Sequence, residues 1–434
     1  MSQWKKVKID FKTIKLGDYI EPIKTTVAEK NMKDPVVYGV TNKEGIVQTG
    51  KPVSKDISNY IVLEENCFAF NPYRINVGSI GINDNNLTGC VSPAYVVFKT
   101  KNGLLPKFLF FYLKSDYGNH LINWYGNRGG VRNALRYSDL CNIDIPDIRN
   151  INQELLLKKF SSVSETINQI NLELEIQKTY IKQLRQNILQ DAIEGKLTVD
   201  WRKSHPVIKG NPDYDAKALF EKIQKENGYD ISKINKTGYG WCSSILGNFV
   251  KLKIGGTPSR NNPEYWKREI PWVSSGEVAN CEIFSTKEQI SITGSENSAA
   301  KILPKGTVLI AMIGQGKTRG QSAILRIEAA TNQNVCAVLL PNQLIKSEYM
   351  YLYFCSRYEE SRKVATGGNQ AALSGTKISQ FVFSLPPLAE QEEIVARVEK
   401  QLQKISELEA QITERETYIK QLMQSILKDA FEER

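Results

Sequence analysis

Histidine is nearly missing from this sequence. His120 and His205 are the two in 434 residues, which leaves little material for histidine-based metal sites or acid–base catalysis. The seven cysteines (Cys67, Cys90, Cys141, Cys242, Cys281, Cys336 and Cys355) are odd in number, and no two stand in a C-x-x-C spacing. That argues against a disulfide framework or a zinc site and for a reducing, cytoplasmic setting. No stretch approaches the roughly 18 uninterrupted apolar residues of a membrane span. The opening MSQWKKVKIDFKTIK is charged throughout, so no secretory hydrophobic region is expected.

Complete nucleotide and methyl-transfer motifs are missing too. Val308–Thr318 reads VLIAMIGQGKT, a strand running into Gly-Lys-Thr. A P-loop needs a first glycine, for the tight turn of amides around phosphate, where this chain has Ala311. Phe68–Arg74 reads FAFNPYR, one residue short of the N-P-P-Y of amino-methyltransferases. The two near-motifs fall in the same slot of an internal repeat, and one slot cannot be an ATP site in one copy and a methyl-transfer site in the other.

That repeat organises the chain. Thr179–Gly195 (TYIKQLRQNILQDAIEG) and Thr417–Glu433 (TYIKQLMQSILKDAFEE) are identical at twelve of seventeen positions. Each ends a stretch with apolar residues alternately three and four apart. The first seam runs Leu156, Phe160, Val163, Ile167, Ile170, Leu174, Gln177, Ile181, Leu184, Ile188; the second runs Ile394, Val398, Gln401, Ile405, Leu408, Ile412, Arg415, Ile419, Leu422, Ile426. A mean step of 3.5 is a coiled-coil period. It predicts two helices of roughly 40 residues, about 60 Å long, each the other's natural partner. Leu189, Ile193, Leu427 and Phe431 flank the seams and are expected to leave apolar surface for a protein partner.

The parts before each helix also correspond. Leu16-Gly17 answers to Leu246-Gly247, Phe108–Tyr117 to Tyr349–Tyr358, and Gly129-Gly130 to Gly367-Gly368. In the first part, Lys15–Ile20, Val36–Val40, Asn66–Phe70 and Ala94–Phe98 read as strands and Leu105–Lys114 as a buried helix. The expected fold is α+β: two similar domains separated by a long antiparallel coiled coil of two spacer helices. The expected segments are 1–148, a first domain; 149–195, the first long helix; 196–235, a polar connector with one short helix; 236–386, a second domain; and 387–434, the second long helix.

Charge follows the same division. The net charge is +10, with 41% apolar and 24% charged residues, the balance of a globular chain. Residues 1–150 and 196–386 together carry a net +15, and residues 151–195 and 387–434 together −5. Basic domains favour a polyanion partner; acidic helices favour protein. Glycine-rich loops with basic and amide side chains are the candidate contacts, since Arg and Lys suit guanine O6/N7 and Asn and Gln suit adenine N6/N7. In the first domain they are Tyr73, Arg74 and Asn76, with Arg128 and Arg132 in NRGGVRNALR. In the second they are Gln315, Lys317, Thr318 and Arg319, then Asn369 and Gln370 in TGGNQAAL, then Thr257, Ser259 and Arg260 in GGTPSR with Ser274 and Ser275 in WVSSG.

The strings GGTPSR, IPWVSSGEV, LPKGTVLIAMIGQGK, IEAATNQNVCAVLLP, GGNQAALS and SLPPLAEQEEIV, in that order, closely resemble the second half of a type I restriction–modification specificity subunit. The first half resembles a more divergent target-recognition domain of the same kind, without GGTPS-like or WVSSG-like strings. The resemblance implies a non-catalytic subunit of a bacterial or archaeal cytoplasm. Its two target-recognition domains would read the halves of an asymmetric bipartite site on double-stranded DNA. Its helices would dock two modification subunits, which methylate adenine with S-adenosylmethionine. Those in turn would recruit restriction subunits that use ATP and Mg, so no cofactor is expected in this chain and no membrane partner. The alternative from the residues alone is a coiled-coil scaffold with two protein- or carbohydrate-binding domains.

Overall fold

The computed structural model describes residues 12–42, 44–49, 56–126, 134–228, 235–237, 239–314, 316–341, 343–364 and 373–432. The chain divides into two units, 1–175 with 412–434, and 176–411.

In the first unit, Thr13–Lys15 pairs antiparallel with Asp144–Pro146 and joins the domain's start to its end. Ile20–Pro22, Val96–Thr100, Phe68–Phe70 and Ile80–Ile82 form an antiparallel sheet in that order. A second sheet runs Gly45–Gln48, Val36–Thr41, Gly89–Val91, Ile61–Leu63, with Val36–Thr41 and Gly89–Val91 parallel. Phe68 and Phe98 stack with ring centroids 4.7 Å apart in the core. Helix Pro106–Lys114 starts on its proline, where a missing N–H costs nothing, and buries Phe108, Leu109, Tyr112 and Leu113 in the same cluster. Leu156, in the first turn of the long helix, completes it.

The strand expected over Lys15–Ile20 is instead a 3-10 turn, Leu16–Tyr19, between two three-residue strands. The alternating Leu-Gly-Asp-Tyr-Ile pattern mimics a strand, but Gly17 lies so close to Cys141 that a Cβ would come within 2.8 Å of the cysteine's Cβ. The turn exists to make that approach.

The second unit has a five-stranded sheet in the order Lys251–Ile254, Val335–Leu339, Val308–Ala311, Ser322–Leu325, Cys281–Ile283. Val308–Ala311 and Ser322–Leu325 are buried on both faces, which is why they read as unbroken small-apolar runs. Beside it Ile270–Val273 pairs parallel with Ala330–Thr331. Cys242–Ile245 pairs antiparallel with Val382–Leu385, as Thr13–Lys15 does with Asp144–Pro146. The correspondence reaches single atoms. Tyr112 Oη donates to Asp144 O at 2.7 Å and Tyr353 Oη to Val382 O at 2.8 Å; Ser115 Oγ donates to Tyr112 O and Ser356 Oγ to Tyr353 O.

The connector holds two helices, Val199–Ser204 and Ala216–Asn227, where one was expected. The second is capped by Asp215, whose side chain accepts from Lys217 N, and by Gly228 at φ +69°. Around the first, a buried clasp closes on Glu390. Its carboxylate accepts from Thr198 Oγ1 at 2.7 Å, from Trp241 Nε1 at 2.8 Å and from Arg202 Nη1. Arg397 adds a bond to Leu197 O at 2.9 Å and an ion pair with Asp200 at 2.6 Å.

The long helices are Gln153–Ile193 and Leu388–Glu432, 41 and 45 residues. Their burial corrects the expected seams. Ile167, Leu174, Ile181 and Ile188, seven apart, are buried, as are Val398, Ile405 and Ile412. In the alternate row Leu156 and Ile394, near the helix starts, are also buried, whereas Ile170, Leu184, Leu408 and Leu422 are exposed. A complete seam buries both rows; here one row is covered, and the other is open at these four positions. Leu189, expected on the surface, is buried; Leu427 and Phe431 carry no described side chain. In the second unit Arg185 Nη2 reaches the Glu409 carboxylate at 3.1 Å and Gln186 Nε2 donates to Ser356 O at 2.7 Å.

Candidate nucleic-acid interface

Sheet register decides which loops meet. In the second unit, strand Val335–Leu339 begins where Lys251–Ile254 and Val308–Ala311 end, since Cys336 lies opposite both Ile254 and Ile310. The loops after Ile254, after Ala311 and before Val335 therefore share one end of the sheet. Asn332 N donates to Val273 O at 3.0 Å, which brings Ser274 to the same end, and Leu373 N donates to Met312 O at 3.0 Å, which brings Leu373 there. Among the described residues, the GGTPSR and WVSSG strings and the loop after Ala311 converge there.

Within this cluster the candidates differ in what they already hold. Gly255 and Gly256 are packing glycines: a Cβ on the first would lie 2.2 Å from Thr331 O, and on the second 2.8 Å from Ala299. Trp272 Nε1 donates to Gly256 O at 3.0 Å. Thr257 Oγ1 donates to Gln333 Oε1. Arg260 lies 3.5 Å from the Trp266 ring centroid and forms a two-pronged pair with Glu288 at 2.6 and 2.9 Å. That pair holds the Glu288 carboxyl below its ordinary range. Ser274 closes a capping box with Glu277, whose carboxylate accepts from Ser274 N and Oγ, both at 2.9 Å. Ser275 is partly buried and Ser259 exposed.

The loop after Ala311 is differently placed. Lys317 is exposed; Thr318 and Arg319 are partly buried. Its backbone is tied from behind: Tyr358 Oη donates to Lys317 O at 2.7 Å and Arg362 Nη1 to Gly316 O at 2.6 Å. Gln315, Asn369 and Gln370 lie outside the described residues.

The first unit repeats the arrangement. Pro22 lies opposite Phe98 and Phe70 opposite Val96, so the loops after strands Ile20–Pro22 and Phe68–Phe70 share an end. Leu135 N donates to Pro72 O at 3.0 Å, the counterpart of Leu373 to Met312. The loop after Phe70 turns on Asn71, whose Oδ1 accepts from Tyr73 N at 2.9 Å. Tyr73 and Arg74 are exposed and Asn76 partly buried, close to Gly126 and Ala134. Between those two lies the segment with Arg128 and Arg132, which is outside the described residues.

Two residues of this face were missed. Gln333 is exposed and Asn334 partly buried at the head of strand Val335–Leu339. The run Asn-Gln-Asn ahead of an apolar strand was the signal, by the same amide rule applied to the other loops. Lys114, also missed, lies behind the first loop: its Nζ donates to Gly78 O at 2.6 Å.

The model of the type I restriction modification DNA specificity domain matches residues 239–415. The chain is 30% identical over 159 residues to the EcoR124I/EcoR124II specificity subunit of Escherichia coli, covering 36% of this chain and 39% of that one. It is 25% identical over 338 residues to the StySPI specificity subunit of Salmonella potsdam, covering 75% and 65%. The chain thus spans less than two thirds of either relative in these matches. Among solved structures, a chain from a study of complex assembly and conformational transition in the type I R-M system shares the fold. Its TM-score is 0.67 at 18% identity, over 98% of this chain and 99% of that one. The GGTPSR, WVSSG and IGQGKT strings all lie within residues 239–415, so the stretch that matches the type I restriction modification DNA specificity domain contains this end of the second sheet, and the chain is similar to type I restriction enzyme specificity subunits.

Proposed function

We propose that each domain reads one half of an asymmetric bipartite DNA site with the loops gathered at one end of its sheet, and that the chain itself performs no chemistry. The observation that carries this reading is the convergence of separate glycine-, amide- and base-rich loops onto one sheet end in each unit. Segments 1–148 and 236–386 are the two reading domains, and 196–235 is the connector. The long helices, 149–195 and 387–434, are an antiparallel coiled coil that spaces them, a reading supported by the Arg185–Glu409 pair and the buried heptad stripes.

The uncovered half of each stripe is the docking face for modification subunits. Ile170, Tyr180 and Leu184 on one helix and Leu408, Tyr418 and Leu422 on the other occupy equivalent repeat positions, and all six are exposed. Two equivalent faces call for two modification subunits, which carry S-adenosylmethionine, with restriction subunits and their ATP and Mg beyond them. The complex is cytoplasmic. Among the described residues no helix is long and apolar enough to cross a membrane.

The test is a mobility-shift titration of the full chain on duplex DNA over a range of salt. Phosphate contacts release counterions, so affinity falls linearly with log salt concentration. A protein- or carbohydrate-binding scaffold shows no shift.

A further inference from the structure

We propose that Lys114 is the positioning residue of the first domain's reading loop, setting half-site discrimination without touching DNA; this rests on the DNA-reading function proposed above. Lys114 ends helix Pro106–Lys114. Its ammonium donates to Gly78 O at 2.6 Å, to Asn42 O at 3.1 Å and to Asn42 Oδ1 at 3.3 Å. An ammonium has three protons and accepts nothing. All three are committed, so none remains for a phosphate or a base.

The acceptors come from two elements that also touch further on, where Gly81 packs against Gly45 and Ile46 of the hairpin; Lys114 ties them at the end nearest the reading loop. Asn42 follows strand Val36–Thr41 at the hairpin turn. Gly78 closes the 3-10 turn Ile75–Val77, directly after Tyr73, Arg74 and Asn76. Gly78 stands at φ +86°, and a Cβ on it would lie 2.4 Å from Asn42 Oδ1. Turn, hairpin and helix end therefore meet at one ammonium, with the glycine admitting the close approach. Burial pushes the Lys114 pKa below its ordinary value, as expected for a cation that faces carbonyls rather than water. The second domain solves the same problem differently. Its loop carbonyls are held by Tyr358 and Arg362, and Cys355 stands where the aromatic-helix alignment places Lys114.

The experiment compares the full wild-type chain with Lys114→Met and the milder Lys114→Gln, which keeps one donor group. Hydrogen exchange without DNA reads the pin itself: amides of Asn71–Ser79 are expected to exchange about tenfold faster in Lys114→Met and less so in Lys114→Gln. Binding is then measured to duplexes with either half-site scrambled. The preference for the intact first half-site is expected to fall about tenfold, the loss of roughly one well-placed base contact, while the preference at the second is unchanged. Equal losses at both half-sites would make Lys114 merely structural and overturn the proposal, as would unchanged exchange in both variants. Faster exchange with unchanged discrimination would also overturn it. A wild-type chain that distinguishes no duplex would sink the DNA-reading function itself, an outcome separate from either.

Discussion

Lys317 and Arg260 were alike in the sequence, each a cation beside glycines and a hydroxyl residue, and the structure separates them. Lys317 is exposed on a loop whose backbone is tied behind it. Lys317→Ala is expected to weaken binding to the second domain's half-site alone, by about 1–3 kcal/mol for a base contact or with a salt slope reduced by about one for a phosphate contact. Titration of both half-sites at several salt concentrations checks this; unchanged binding at moderate salt would remove the loop from the interface. Arg260 is already stacked and paired. A double-mutant cycle of Arg260→Ala with Glu288→Gln, read by denaturation, should return a coupling of about 0.5–1 kcal/mol, as for other exposed pairs. Because Glu288's pKa is lowered in the fold, this stabilisation is present at neutral pH. It is lost on acidification, beginning below the ordinary glutamate value of about 4.3 and ending as pH falls through the lowered one. A coupling that persists in acid would assign Arg260 another partner.

Among elements, the clasp and the helices make distinct demands. Glu390 is 1% exposed and answers Arg202, Thr198 and Trp241 together. Glu390→Ala leaves the largely covered Arg202 guanidinium without its counter-ion, and a loss of about 3 kcal/mol is expected in chemical denaturation; a loss under about 1 kcal/mol would mean that solvent reaches Arg202 readily. The helix faces are probed by Leu184→Asp and Leu422→Asp. Native mass spectrometry of the chain co-expressed with its modification subunit should show two copies bound to wild type and one to each variant. Two copies on both variants would place docking elsewhere. Periodicity revealed that these helices exist and where they begin, because a 3.5-residue step over forty positions has no other reading. It could not reveal which of two apolar rows is covered, since both rows look alike in one dimension. Nor could it show the Lys15–Ile20 turn, whose alternation comes from a close approach to Cys141, distant in sequence.

For the whole molecule, the sequence made the repeat legible through near-identity of Thr179–Gly195 and Thr417–Glu433, and the shared sheet end through loops that fell in matching slots. What stayed hidden was which side chains are spent inside the fold: Thr257 and Arg260 looked free because their partners Gln333 and Glu288 are distant in sequence, whereas the Ser274–Glu277 capping box could have been read from its S-x-x-E spacing. The central claim, that two domains read and the helices measure, is tested most directly by methylome sequencing of cells carrying the chain and its modification partner. The same cells are then given a variant with four residues inserted after Leu184 that continue the three–four pattern. The insertion lengthens the helix by about 6 Å, close to two base-pair steps at roughly 3.4 Å each. It turns the helix by a net 40° or so, against about 70° for two pairs. Wild type should methylate one gene-dependent bipartite motif; the variant should methylate the same two half-sequences with a spacer one or two pairs longer. An active variant with an unaltered spacer, or no gene-dependent motif at all, would contradict the account.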